Sequence, residues 1–386
     1  MILMILQVIG ILLTVIYLLP NDNKRKLNKK EKCKYAILIP ARNEEKVIVG
    51  LMESLKKQSV KVDFKDVYVM VSDKNDLAIP ILKKYNCNIV TRVNPNLKRK
   101  GYALDELIKS IKKEYDLYFI FDADNILDKD FIKYMLDEYK DGYDIVTSKR
   151  LNKNPKDSVA SYCSGLLFTL LNIFNKSKAN NNENVILSGT GFFISGNIIR
   201  RLNGYPFNTL TEDYELTLYS IINEYNSGYC DKAVFYDEQP IELNVSIKQR
   251  TRWIKGYFEN RKKYNKKLVE QYKKTRNFSI LKEIIGIKGI IVLLIWAFIS
   301  MLLSFSLPKI VYILSFLYLT LFLITLFLIV CDESKIDNEL KLKALFFNPI
   351  FLLSYIICLF KSFGNVSWDV IKHEKDDLSW SSFSML

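Results

Sequence analysis

Apolar positions along the chain follow two kinds of pattern, and the change between them divides the sequence. Residues 1–20 carry no charged side chain, and roughly 20 apolar residues are what a helix needs to cross a hydrocarbon core. Three further apolar runs lie in the last third: Gly289–Phe305, Ile310–Val330 and Ala344–Phe360. Between these blocks, short apolar runs alternate with stretches of helical spacing. Tyr35–Ile39, Asp66–Val71, Asn88–Arg92 and Leu117–Phe121 read as strands. Glu44–Lys57, Leu77–Tyr85 and Tyr102–Tyr115 read as helices, with apolar residues three and four apart. The alternation predicts an α/β domain with a mostly parallel sheet covered by helices on both faces. Such sheets bind ligands beyond the carboxyl ends of their strands. The polar residues that follow the strands, 42–44, 72–76 and 122–125, are therefore site candidates. No internal repeat interrupts the pattern.

Composition narrows the chemistry. The chain of 386 residues has a formal net charge of +14 and a single histidine. One histidine excludes multi-histidine metal centres and argues against Ser-His-Asp catalysis. Cysteines stand at 33, 87, 163, 230, 331 and 358 with no C-x-x-C pair, so neither a zinc ribbon nor a disulfide framework is indicated. Small core thiols in a reducing compartment fit better. The positive charge is concentrated in two places. One is Lys24–Lys34, just after the first apolar run; the other is Lys248–Arg276, ahead of the next. By the positive-inside rule, residues 1–20 are an uncleaved anchor and residue 21 onward is cytoplasmic. Both basic runs abut membrane segments, so anionic headgroups account for them and no nucleic-acid partner is expected.

Four motifs carry candidate chemistry. Asp122-Ala-Asp124 follows an apolar strand. In extended backbone residues two apart point the same way, so both carboxylates can meet one hard divalent cation. Thr211-Glu212-Asp213 precedes a helical run and, taken alone, also fits an ordinary capped helix start. Gln249, Arg252 and Trp253 share one face of a helix. Arginine suits a diphosphate and tryptophan a sugar ring, yet an amphipathic membrane-surface helix would read the same. Gly189-Thr190-Gly191 reads equally as a tight turn into a strand or as a small-residue segment beside a ligand.

Together, a strand-end D-x-D, then T-E-D, then Q-x-x-R-W, all ahead of membrane segments, resembles the membrane-embedded family 2 glycosyltransferases. These include the synthases of cellulose, chitin, hyaluronan and poly-N-acetylglucosamine. Ile39-Pro40-Ala41-Arg42-Asn43-Glu44 is similar to that family's first-strand segment, and Lys100-Gly101-Tyr102-Ala103-Leu104 to its K-x-x-A-L segment. The resemblance implies a GT-A (Rossmann-like) nucleotide-sugar domain with transmembrane helices at both ends. It implies Pro40, Arg42, Glu44, Asp73, Lys100 and Asp122 around the nucleotide, and Asp122 and Asp124 on Mg²⁺ or Mn²⁺. Asp213, with Glu212 beside it, takes the base position. Gln249, Arg252, Trp253, Gly189, Thr190 and Gly191 fall at the acceptor and diphosphate. The reaction implied is inverting transfer from a UDP-sugar, UDP-N-acetylglucosamine or UDP-glucose, to a growing β-linked glycan. The partners implied are the donor, a glycan or lipid acceptor, the membrane and an accessory membrane subunit. Transfer of one sugar to a lipid is the alternative within the enzyme class. A catalytically silent membrane scaffold is the alternative outside it.

The expected organisation is an anchor over 1–20 and a cytoplasmic GT-A domain over 34–275. Membrane segments follow over 279–363, with an interfacial helix at Ser279–Lys288 and two transmembrane helices. The tail is 364–386. Trp368 and His373 resemble a tail motif of bacterial members. Lysines flank both ends of the last apolar run, and Asn348-Pro349 interrupts it. Ala344–Phe360 is therefore expected to be interfacial or re-entrant, with the tail cytoplasmic near the site mouth. The expected location is the cell membrane, multi-pass.

Overall fold

The computed structural model describes residues 27–31, 33–286 and 310–366. The expected anchor (1–20), the run Gly289–Phe305 and the tail residues Trp368 and His373 lie outside the described residues.

Eight strands form one sheet: β1 (Tyr35–Pro40), β2 (Val67–Val71), β3 (Asn88–Thr91), β4 (Leu117–Ile120), β5 (Ile126–Leu127), β6 (Ile145–Asn152), β7 (Phe192–Ser195) and β8 (Ser227–Asp237). Their order is β3-β2-β1-β4-β7-β6-β8-β5. Four of the seven pairings are parallel, which makes the sheet mostly parallel. The first four strands match the sequence expectation to within a residue at each end.

Strand alternation divides the core into two layers. Ile37, Ile39, Val67, Val69, Leu117 and Phe119 bury one way, under helices α1 (Ile48–Lys56) and α4 (Phe131–Asp141). Ala36, Leu38, Met70, Tyr118 and Ile120 bury the other way, under α3 (Lys100–Ser110) and α6 (Gly196–Leu202). The intervening α2 (Ile79–Lys83) is one short turn closed by Asp76, which accepts from the Ala78 and Ser72 backbone N–H groups. The expected helices at 44–57 and 102–115 are shorter than their apolar spacing suggests, starting at Ile48 and stopping at Ser110. The chain leaves α3 early because it must reach β4, where the Asp116 and Leu117 N–H groups bond to the Lys34 carbonyl.

One feature of the topology positions the site. β7 runs antiparallel to both β4 and β6, and β6 runs parallel to β8. Two reversals restore direction, so β4, β6 and β8 all end at the same edge of the sheet. The start of β7 lies there too. Residues far apart in sequence thus meet beyond one carboxyl edge.

The remaining helices cover this edge and lead away from it: α5 (Val159–Asn180), α7 (Glu212–Ile222), α8 (Leu243–Thr275), α9 (Ile310–Cys331), α10 (Asn338–Leu353) and α11 (Tyr355–Ser362). Residues 278–286 are also helical, within the expected interfacial segment. Residues 338–362 are long and apolar enough to cross a membrane by length and composition. The break expected at Pro349 does not occur there. Pro349 sits inside α10, and the interruption falls at Ser354. Proline removes one helical donor, yet the helix continues through it, and the interruption five residues later falls where Arg250 donates to the Phe351 carbonyl and the Ser354 hydroxyl. A buried cluster of Tyr162, Cys163, Leu166, Leu328, Ala344 and Phe351 seats α9 and α10 against α5.

Candidate active site

The site begins at the carboxyl ends of β4 and β8. Asp122-Ala123-Asp124 lies in a turn rather than in extended backbone, which corrects the strand geometry expected for it. The Asn125 side chain closes this turn. Its Oδ1 accepts the Asp122 N–H at 3.1 Å, while its Nδ2 donates to Asp124 at 3.2 Å and to Asp237 at 2.8 Å. Asn125 is fully buried, so one amide fixes three acids. Thr190 adds a second brace: its hydroxyl bonds to Asn125 and accepts the Asp122 N–H at 2.8 Å. Gly189 and Gly191 flank it at φ +85° and +65°, a left-handed turn that side chains rarely adopt. The tight-turn reading and the ligand-segment reading of this motif are therefore compatible.

Asp122, Asp124 and Asp237 offer carboxylate oxygens all within 4.8 Å of one another. An all-oxygen donor set suits a hard cation such as Mg²⁺ or Mn²⁺. Basic groups balance the cluster. Lys100 pairs with Asp122 and donates to the Gly189 carbonyl at 2.8 Å. Burial alone would lower the Lys100 pKa, but Asp122 and Glu212 outweigh it and hold it above its ordinary value. Arg150 pairs with Asp237, donates to the Ser188 carbonyl at 2.9 Å and lies 3.6 Å above the Phe168 ring. Gln239 also donates to Asp237, at 2.7 Å.

Glu212 and Asp213 open α7. Burial, and then repulsion by Asp213, push Glu212 up to about 8. Burial also raises Asp213 above the usual carboxylate range. Thr211 takes the N-cap position but makes no side-chain cap bond. Its carbonyl and hydroxyl instead accept the Asn260 amide from α8, each at 3.0 Å. This departs from a plain capped helix start, because the turn is clamped from outside. Gly256 permits the clamp: a Cβ there would stand 2.5 Å from the Thr211 hydroxyl. Glu259 and Glu215 complete it by accepting the N–H groups of Leu210 and Thr209.

A cavity of about 860 Å³ joins these groups. Pro40, Arg42, Glu44, Asp73, Lys100, Asp122 and Asp124 line it, as do Gly189, Glu212, Asp213, Gln249, Arg252 and Trp253. Thr190 and Gly191 stand behind the wall. Gly191 backs onto the Phe235 ring, where a Cβ would meet it at 2.3 Å. Asp73 accepts the Asn75 N–H at 2.7 Å and forms part of the rim. Trp253 meets Phe168 edge-on with ring centres 6.0 Å apart.

Asp237 and Arg150 were not among the sequence candidates, whereas Asn125 was, within the polar stretch 122–125. Asp237 had a readable signal: Ala233–Tyr236 is an apolar strand end followed by a carboxylate, the same pattern that marks Asp122. Arg150 had none, since its partner lies across the sheet.

Fold and site together define a GT-A-like glycosyltransferase. Residues 33–256 match the family model described as glycosyltransferase like family 2, and the chain belongs to this family. It is 26% identical over 250 residues to the probable glycosyltransferase YdaM of Bacillus subtilis (strain 168); the match covers 61% of this chain and 58% of that relative's length. Its fold is similar to that of the mannosyltransferase PcManGT from Pyrobaculum calidifontis, solved in complex with GDP-Man and Mn²⁺. That likeness has a TM-score of 0.57 at 13% identity and covers 92% of this chain and 99% of the other.

Two tests follow from this geometry. Gly256→Ala drives a methyl into Thr211, and overpacking of this kind costs about 1–3 kcal/mol; thermal unfolding should show the loss, and unchanged stability would mean the clamp is loose. The raised Glu212 pKa makes the metal-free fold less stable as pH rises from 4.5 towards about 8, because the native state must give up a proton it holds more tightly than the unfolded chain does. Glu212→Gln should flatten that decline in a pH series of unfolding midpoints; an identical slope would exclude Glu212 as its source.

Proposed function

We propose that this chain is a membrane-bound inverting hexosyltransferase using a UDP-sugar, UDP-N-acetylglucosamine or UDP-glucose, to extend a β-linked glycan. The observation that carries the reading is the placement of Asp213. Its carboxylate lines the same cavity as the acidic cluster, and a Cβ on Gly189 would lie 3.6 Å from its Oδ2. Gly189 in turn accepts from Lys100, the partner of Asp122. The candidate base and the acidic cluster are thus joined through two intervening residues, Gly189 and Lys100.

In the proposed step an acceptor hydroxyl attacks the anomeric carbon of the donor. The bond from that carbon to the diphosphate oxygen breaks, the hydroxyl proton passes to Asp213, and the diphosphate leaves. Among the described residues there is no histidine to compete for the proton. A buried carboxylate with a raised pKa suits proton acceptance near neutral pH better than an exposed one. One displacement gives inversion, without a covalent nucleophile. A divalent cation at Asp122, Asp124 and Asp237 would supply Lewis-acid neutralisation of the departing diphosphate. Arg252 and Lys100 line the same cavity and add positive charge to it. The complex of the Pyrobaculum relative with GDP-Man and Mn²⁺ supports a nucleotide sugar and a divalent cation as the ligand classes.

Membrane attachment is supported by the outward faces of α9–α11. Leu326, Phe327, Phe346, Ile350, Ile356 and Phe360 are all exposed there, and an apolar surface of that kind needs a cover. We place the catalytic domain on the cytoplasmic side, where UDP-sugars are available. A second reading, one sugar added to a lipid, is favoured by α5, because Leu167, Leu171 and Phe174 line the cavity along one helical face.

Membranes carrying the full chain, supplied with radiolabelled UDP-sugars, test both. Asp213→Asn should lower transfer by at least about 100-fold while donor binding persists. Cellular glycan unaffected by that substitution, but lost on deletion, would support a silent scaffold instead. A chloroform-soluble product would select the lipid reading over the polymer.

A further inference from the structure

Arg250, inside the Q-x-x-R-W segment, has a setting that its neighbours do not. It is 0% exposed, and among the described residues its hydrogen-bond partners are all uncharged. It donates to the Phe351 carbonyl at 3.0 Å and to the Ser354 hydroxyl at 2.9 Å. Its guanidinium stands 4.0 Å from the Phe351 ring centre and 4.7 Å from that of Tyr355. A buried cation without a carboxylate is costly unless something else solvates it. Here the Phe351 carbonyl and the Ser354 hydroxyl do so. Two rings add cation–π attraction. Arg250 thus anchors the junction of α10 and α11 at Ser354, and a Cys358 thiol bonding to the Ile247 carbonyl at 3.7 Å ties the next turn to α8.

The consequence lies one residue past that junction. Tyr355 lines the catalytic cavity, together with Gln249, Arg252 and Trp253. Arg250 and Trp253 are three apart on α8 and share a face, so Tyr355 joins the wall on which Trp253 and Phe168 meet.

We propose that Tyr355 is a specificity-determining residue of the acceptor site, supplied by the C-terminal helices, and that Arg250 is the positioning residue that holds it there. This rests on the glycosyltransfer reading of the cavity. A flat ring on a half-buried wall suits the apolar face of a pyranose, and its hydroxyl suits the sugar's edge. Acceptor recognition is thereby coupled to the seating of α10 and α11: what loosens their junction withdraws a wall of the site.

The test uses the full-length chain in lipid nanodiscs, with UDP-N-acetylglucosamine or UDP-glucose as donor. Short β-linked glucose and N-acetylglucosamine oligosaccharides are titrated as acceptors. Tyr355→Ala should raise the acceptor KM about tenfold with donor KM little changed, and Tyr355→Phe should retain most of the acceptor affinity. Arg250→Gln should shift acceptor KM in the same direction, and adding it to Tyr355→Ala should shift acceptor KM little further. Should Arg250→Gln fail to fold, the two Tyr355 variants decide alone. An acceptor KM unchanged in Tyr355→Ala, or donor and acceptor KM rising together, would overturn the proposal while leaving the catalytic reading intact. Turnover unaffected by Asp213→Asn would remove that reading and this inference with it.

Discussion

Crowding of like charge at one sheet edge is the constraint on which the rest of the site depends. Asp122, Asp124 and Asp237 carry oxygens within 4.8 Å of one another, and Asp213 is close enough to Glu212 to raise the Glu212 pKa beyond the effect of burial. Carboxylates this close repel unless cations or donors intervene. Each intervening group has a second task. Lys100 ties the cluster to the Gly189 turn, Arg150 ties it to the segment before that turn and to α5, and Asn125 holds the acids in register. The charges that a diphosphate and its cation would meet are thus fixed by the same contacts that fold the edge. Preorganised charge of this kind is what transition-state stabilisation requires.

The proposed base is fixed separately, by α8. That helix touches the T-E-D turn through Gly256, Glu259 and Asn260 and presents Gln249, Arg252 and Trp253 to the cavity. It also carries Arg250, which bonds to the junction of α10 and α11. One long helix therefore connects the proposed proton acceptor, the proposed diphosphate and acceptor contacts, and the C-terminal helices. Its contacts to the T-E-D turn include hydrogen bonds to the Leu210 N–H and the Thr211 carbonyl, whose directionality fixes the backbone's position.

Much of this was legible in the sequence because strands and helices announce themselves by period. The first four strands of the sheet and the start of α7 follow directly from apolar spacing. The residues at strand ends followed from the parallel topology that this spacing implied. What could not be read depends on pairings between distant segments. Asp237 joins the acids only because β7 reverses the sheet twice, and Arg150 matters only because β6 lies beside β8. The interruption near the C-terminus was misplaced at Pro349 for the same reason. Local sequence marks a missing donor, but the buried guanidinium that bonds to the helix at Ser354 comes from a residue a hundred positions away.

The central claim is that the strand-end acids form a divalent-cation site. A diffraction experiment at the manganese absorption edge, on protein soaked with Mn²⁺ and UDP, tests it most directly. The account predicts an anomalous peak about 2.0–2.3 Å from oxygens of Asp122, Asp124 or Asp237, with the diphosphate against it. Bound diphosphate with no manganese at these carboxylates, and Lys100 and Arg150 still paired to them, would contradict it.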